Sequence, residues 1–164
     1  MVRHLFRTLV LSAIALSVVI VAAAQTGAKG KETASDAEFK KLISEYYDAW
    51  NTLNPDNAAK YYAKDASLVF YDIAPLKYNG WGEYHDGVIK NFFQVTTNAK
   101  LTPKDDLKVS RRGNIAWTTL TFHLSAKLKA GDSLDMDCRH TAIWELRDGK
   151  WLIVHEHVSA PLPG

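Results

Sequence analysis

Three histidines fall within one hairpin near the C-terminus. From Cys138 to Pro161, two runs rich in β-branched and aromatic residues flank Asp148-Gly149. An Asp-Gly pair in that setting predicts a two-residue type I′ turn, which needs positive φ at both central residues. Arg147 then faces Lys150, and each pair of numbers sums to 297. Side chains alternate between faces along a strand. One face therefore carries His140, Ala142, Trp144, Leu146, Trp151, Ile153, His155 and His157. The other carries Thr141, Ile143, Glu145, Leu152, Val154 and Glu156. This register depends on an unbroken ladder, because a β-bulge moves the histidines by one position.

Imidazoles grouped this way admit three readings. They brace the sheet by hydrogen bonds, as buried polar side chains do. They form the polar end of a small-molecule pocket, as donors or as acid and base. Or they ligate a metal, since His-x-His with a cross-strand His is possible ligand geometry. No ligand spacing outside the hairpin supports the third reading, so neither metal nor cofactor is expected.

The elements that must position these residues can be read along the chain. Ser35-Asp-Ala-Glu38 is a capping box, and Phe39, Leu42, Ile43, Tyr46, Tyr47 and Trp50 follow at helical spacing. The first helix is expected to run to about Leu53. Asn54-Pro55 starts a second helix. Residues 67–71 read as a strand, 72–80 as a loop and 81–95 as a third helix. Leu107 to Arg111, Ile115 to Lys129 and the two hairpin arms complete four antiparallel strands. The order predicts an α+β fold with helices on one side of a strongly bent antiparallel sheet.

The chain has 164 residues, 47% apolar and 23% charged, with a formal net charge of +2. That suits one globular domain and carries no basic run for nucleic acid. Arg3, His4 and Arg7 precede an apolar stretch from Leu9 to Val21, and Ala22-Ala-Ala24 follows. This is the layout of a secretory signal peptide; the alternative is an uncleaved N-terminal anchor, for which the apolar stretch is short. Residues 1–24 are thus expected to direct export to the periplasm or outside the cell, touching the membrane only in transit. Residues 25–34 read as a linker and 35–164 as the domain. Cys138 is the only cysteine, which excludes an internal disulfide and suits a small apolar filler.

The run Thr141 to Pro161, with its Trp, Arg-Asp-Gly-Lys-Trp, Val-His-x-His and Ser-x-x-Pro elements, resembles the SnoaL-like branch of the nuclear transport factor 2-like superfamily. It is especially similar to the association domain of calcium/calmodulin-dependent protein kinase II. The resemblance implies the superfamily's cystatin-like cone, a bent sheet wrapped around three N-terminal helices and enclosing a pocket. It also implies that the concave face carries Thr119 and Ala142, the positions of two pocket arginines in that kinase domain. Both arginines are absent here. If the strands turn tightly around Gly131, Thr119, Thr121 and His123 share that face with His140 and His157.

Asp65-Ala-Ser-Leu-Val-Phe-Tyr-Asp72 resembles a run of the ketosteroid isomerases in which the second Asp is the general base. The resemblance places Tyr46 or Tyr47 near that family's oxyanion-hole tyrosine. The spacing here is two residues longer, and the family's second oxyanion-hole group falls at Ala142. Asp72 also reads as an ordinary turn residue before Pro75. The candidate catalytic residues are accordingly Asp72, Tyr46 and His155. A small, largely apolar ligand is expected against Tyr46, Trp50, Tyr71, Trp117 and Thr119, and against His123, His140, Trp144, His155 and His157. The alternatives are an isomerase or hydratase, and an oligomerisation scaffold. A homodimer through the outer sheet face is the default partner.

Overall fold

The computed structural model describes residues 34–162. The segments read as signal peptide and linker lie outside the described residues, apart from Ala34. Helix α1 (Ala34–Trp50) already includes Ser35, the residue expected to cap it, and it ends at Trp50. Helix α2 (Pro55–Ala58) begins as expected: Asn54 Oδ1 accepts from Asp56 N at 3.0 Å, with Pro55 in the first turn. It tightens into a 3₁₀ turn over Ala59–Tyr61. Strands β1 (Val69–Tyr71) and β2 (Tyr78–Asn79) precede α3 (Gly80–Val88), which continues as a π-helical turn over Ile89–Phe93. Gly87 has a packing reason within α3, because a Cβ there would lie 2.0 Å from Tyr78 Cε1.

Five further strands follow, not four: β3 (Thr96–Pro103), β4 (Lys108–Arg112), β5 (Ile115–Leu128), β6 (Ser133–Arg147) and β7 (Lys150–Ser159). The sheet order is β2-β1-β7-β6-β5-β3, with β4 also pairing β5. Strand β3 borders the later half of β5, from Phe122 to Leu128, and β4 borders its first half. Strand β1 runs parallel to β7, pairing Phe70 with Glu156. The result is a mixed α+β fold in which α1 packs on the inner face of an open, curved sheet. Phe39 meets Trp144 at 5.9 Å and Tyr47 meets Phe122 at 5.5 Å between ring centres.

Two register findings decide which residues face inward. Asp148 and Gly149 both have positive φ, 49° and 75°, and the hairpin pairs as expected from Arg147↔Lys150 to Trp144↔Ile153. A β-bulge then intervenes, and Ile143 pairs with His155. Val154 is the extra residue, and every side chain beyond it changes face. His155 and His157 turn outward while Glu156 turns in, buried at 0% exposure. The second finding concerns β5 and β6, which pair Ile115↔Glu145 through Lys127↔Ser133, so even positions face even positions. The inner residues of β5 are therefore Ala116, Thr118, Leu120, Phe122, Leu124 and Ala126. Trp117, Thr119, Thr121 and His123 lie on the opposite face, which corrects the expected grouping with His140 and Ala142.

Candidate functional site

The centre of the fold is a buried ion with a saturated shell. Glu156 reaches the interior because the bulge re-aims it. Its Oε1 accepts from Tyr46 O–H at 2.5 Å and pairs with His140 Nε2 at 2.9 Å. Its Oε2 accepts from Tyr62 O–H at 2.9 Å and Tyr84 O–H at 2.8 Å. Helix α1 supplies Tyr46, the strand-like stretch after the 3₁₀ turn supplies Tyr62, α3 supplies Tyr84 and β6 supplies His140. A carboxylate offers about four lone-pair sites, and four donors fill them. Burial alone would raise the Glu156 carboxyl, but the bond and charge of His140, with the tyrosine hydroxyls, hold it below its ordinary value. Burial, then the Glu156 charge, pushes Tyr46, Tyr62 and Tyr84 well above the ordinary phenol range.

Proton counting assigns the remaining roles. An ionised carboxylate only accepts, so His140 Nε2 carries a proton. His140 Nδ1 lies 3.1 Å from Tyr47 Oη, a hydrogen bond whose direction follows the state of the ring. Tyr46 and Tyr62 each spend their single proton on Glu156, so the 3.0 Å approach of their oxygens follows from sharing one carboxylate.

Beside this network lies a cavity of about 240 Å³. Leu101, Phe122, Leu124, Leu134, Met136 and Val158 form its sheet wall, and Val88, Phe92 and Phe93 part of its helical wall. Its polar end gathers Asp72, His140, Tyr46, Tyr47, Tyr84 and Tyr78. Asp72 follows β1, and its Oδ1 accepts from Ile73 N at 2.7 Å. Burial raises its carboxyl to about 6, against the lowering effect of that N–H; the Glu156 charge adds to the rise. Trp50 also lines the cavity, and its Nε1 is buried with no partner among the described residues.

Of the residues singled out from sequence, Asp72, Tyr46, Tyr47, Trp50 and His140 line this cavity. The others do not. Trp144 is fully buried, donating from Nε1 to Thr118 Oγ1 at 3.0 Å. His155 bonds Val69 O through Nδ1 at 2.7 Å, and its ring and that of His157 flank Tyr71 at 5.4 and 5.6 Å. His123 pairs with Asp137 at 3.1 Å on the outer face, where Trp117 and Thr119 also lie. The bulge separates His140 from His155 and His157, so the three imidazoles do not converge.

The residues that sequence reasoning missed are Glu156, Tyr62 and Tyr84, together with the network they form with Tyr46 and His140. Glu156 was placed on the outer face, where it was one of two acids among Ile143, Leu152 and Val154. That apolar company was the available signal for burial. A buried acid needs donors, and the helical tyrosines are the donors the chain offers.

Residues 40–163 match the family model of the SnoaL-like domain. No curated protein matches the chain. Among solved structures, the fold matches a calcium/calmodulin dependent protein kinase II association domain-like protein from Xanthomonas campestris, at 23% identity and a TM-score of 0.66, over 79% of this chain and 89% of that one. It also matches a nuclear transport factor 2-like protein of unknown function from Pseudomonas putida, at 22% identity and a TM-score of 0.67, over 82% and 92%. A hexachlorocyclohexane dehydrochlorinase matches at 15% identity and a TM-score of 0.67, over 80% and 90%. At these identities the matches establish the fold, a nuclear transport factor 2-like one.

Proposed function

The chain belongs to the SnoaL-like domain family, and we propose that it binds a small, largely apolar molecule in the cavity beside Glu156. The observation that carries this is the composition of the walls. An apolar enclosure with a few polar groups at one end is the usual character of a ligand pocket. Its 240 Å³ exceeds the roughly 150 Å³ of an apolar cavity that accepts benzene. A one-ring molecule with a short side chain fits that space. Native mass spectrometry of protein taken from its own compartment is expected to show a retained organic mass. As a second measure, a one-ring apolar probe should change the fluorescence of Trp50, which lines the cavity. Silence in both experiments would remove the proposal.

A second reading is proton abstraction from a bound substrate by Asp72, in the manner of an isomerase or hydratase. The raised Asp72 carboxyl, about 6, favours it. The Tyr46 proton does not, because Glu156 already takes it at 2.5 Å and leaves no phenol donor there for an oxyanion. Unchanged turnover of an active substrate by Asp72→Asn would exclude Asp72 from the mechanism.

Two features complete the proposal. The basic, apolar and small-residue order of residues 1–24 supports export, with a mature chain starting at Gln25. The outer sheet face, with Trp117 at 38% exposure and Ile143 beside it, supports a homodimer. Sedimentation of the exported protein, with the mass of its N-terminal peptide, tests both. A monomer at micromolar concentration, or a chain still carrying Met1, counts against the corresponding half.

A further inference from the structure

Three of the four tyrosine hydroxyls around the cavity, those of Tyr46, Tyr78 and Tyr84, have no proton left to offer a ligand. Tyr46 and Tyr84 donate to Glu156, Tyr78 donates to Ala74 O at 3.2 Å, and Tyr47 shares a hydrogen bond with His140 Nδ1. His140 Nε2–H is spent on Glu156. What these groups present to a guest is lone pairs. Asp72 adds a carboxyl-bearing residue to the lining. Among the described residues, none of those lining the cavity is Lys or Arg. The Trp50 indole and the Asn91 amide are donors, and Asn91 already reaches Tyr78 Oη at 3.4 Å. The rest of the wall is rich in aromatic rings, whose faces attract cations.

Resting on the pocket reading above, we propose that the ligand carries a protonated amine, seated against Asp72 and the tyrosine oxygens with its apolar body among the rings. An ammonium has three donors and no acceptor, which matches a site that offers acceptors and a negative charge. A carboxylate or phosphate guest would meet lone pairs and the Asp72 anion. A neutral alcohol would gain one hydrogen bond and no charge attraction.

The groups that face Asp72 make the pairing pH-dependent. Glu156 and His140 act on it as a compensated pair, and Tyr78, Tyr84 and Cys138 also lie within its field. Burial raises both phenols and the Cys138 thiol, so all three are neutral at working pH. Asp72 itself loses its charge as pH falls through about 6.

Isothermal titration with 2-phenylethylamine, 2-phenylethanol and 3-phenylpropanoate tests the proposal, on wild type and on Asp72→Asn. The amine is expected to bind at least about tenfold more tightly than the alcohol at pH 7.5, and the propanoate most weakly. The amine's advantage should shrink at pH 5. In Asp72→Asn it should vanish while alcohol binding persists. An alcohol that binds as tightly as the amine overturns the amine assignment alone, and an amine preference that survives Asp72→Asn overturns the seat at Asp72. Binding of none of the three overturns the pocket reading together with it.

Discussion

Glu156→Gln is expected to destabilise the domain by about 3–5 kcal/mol, the usual cost of breaking a buried, hydrogen-bonded charge by removing one partner. A glutamine oxygen offers two lone pairs where the carboxylate offers four. Its amide nitrogen would face two of the donors Tyr46, Tyr62, Tyr84 and His140 with protons of its own. The loss is a large share of the roughly 5–15 kcal/mol by which domains are stable. Urea denaturation should show a lower midpoint at unchanged slope. Glu145→Gln is the comparison, because it breaks a half-exposed pair with Arg147 at 2.6 Å and is expected to cost under about 1 kcal/mol. Should Glu156→Gln fail to fold, Tyr84→Phe removes a single donor to the same carboxylate, at about 1.5–3 kcal/mol. A Glu156→Gln midpoint close to that of Glu145→Gln would sink the account of the network. The pH dependence follows from the sign of the shift. The folded state holds Glu156 below its ordinary value, so its contribution is present above that ordinary value. It is lost as pH falls through the folded value, and the variant should lack that acid-side step.

The parts of the fold that were legible are those set by short stretches of chain. Asn54-Pro55 announced a helix start, and Asp148-Gly149 announced its turn, because caps and type I′ turns are decided within four residues. The inner face was not local in this sense. The bulge at Val154 has no glycine or proline to mark it; its effect is felt where β7 also takes β1 as a parallel neighbour, at Phe70↔Glu156. The four residues between β5 and β6 set an even-to-even register, and one residue more or fewer would have reversed it. Strand β3 escaped notice because Thr96–Pro103 is mostly polar and ends in proline, as suits an edge strand. The candidate site was read through the histidines, whose positions depended on the bulge. His140 kept its place because it lies on β6, the strand that continues straight across. Asp72 reached the cavity because it follows Phe70 by two residues and shares its inward side.

Asp72→Asn is expected to stabilise the folded protein at neutral pH, the opposite of the usual effect of altering a site residue. The unfolded carboxyl titrates near 3.8, whereas the folded one is raised to about 6, chiefly by burial. Between those values the folded state binds more protons than the unfolded state, so stability falls as pH rises through the interval. Above it, the fold carries an ionised group it disfavours. Two pH units correspond to about 3 kcal/mol at most, and partial exposure of Asp72 to solvent reduces this to about 1–2 kcal/mol. Asparagine has no charge to bury, and its Oδ1 can keep the bond from Ile73 N at 2.7 Å. Wild type and variant should therefore have similar urea midpoints at pH 4 and separate by pH 7.5, with the variant higher. A difference independent of pH, or a variant less stable at pH 7.5, would show that the folded state does not resist the Asp72 charge. A destabilising carboxylate on a pocket wall is explicable where function requires it. The stability gained by the asparagine variant and the amine preference it is expected to lose then have one cause: a negative charge that the empty fold disfavours and a cationic guest would neutralise.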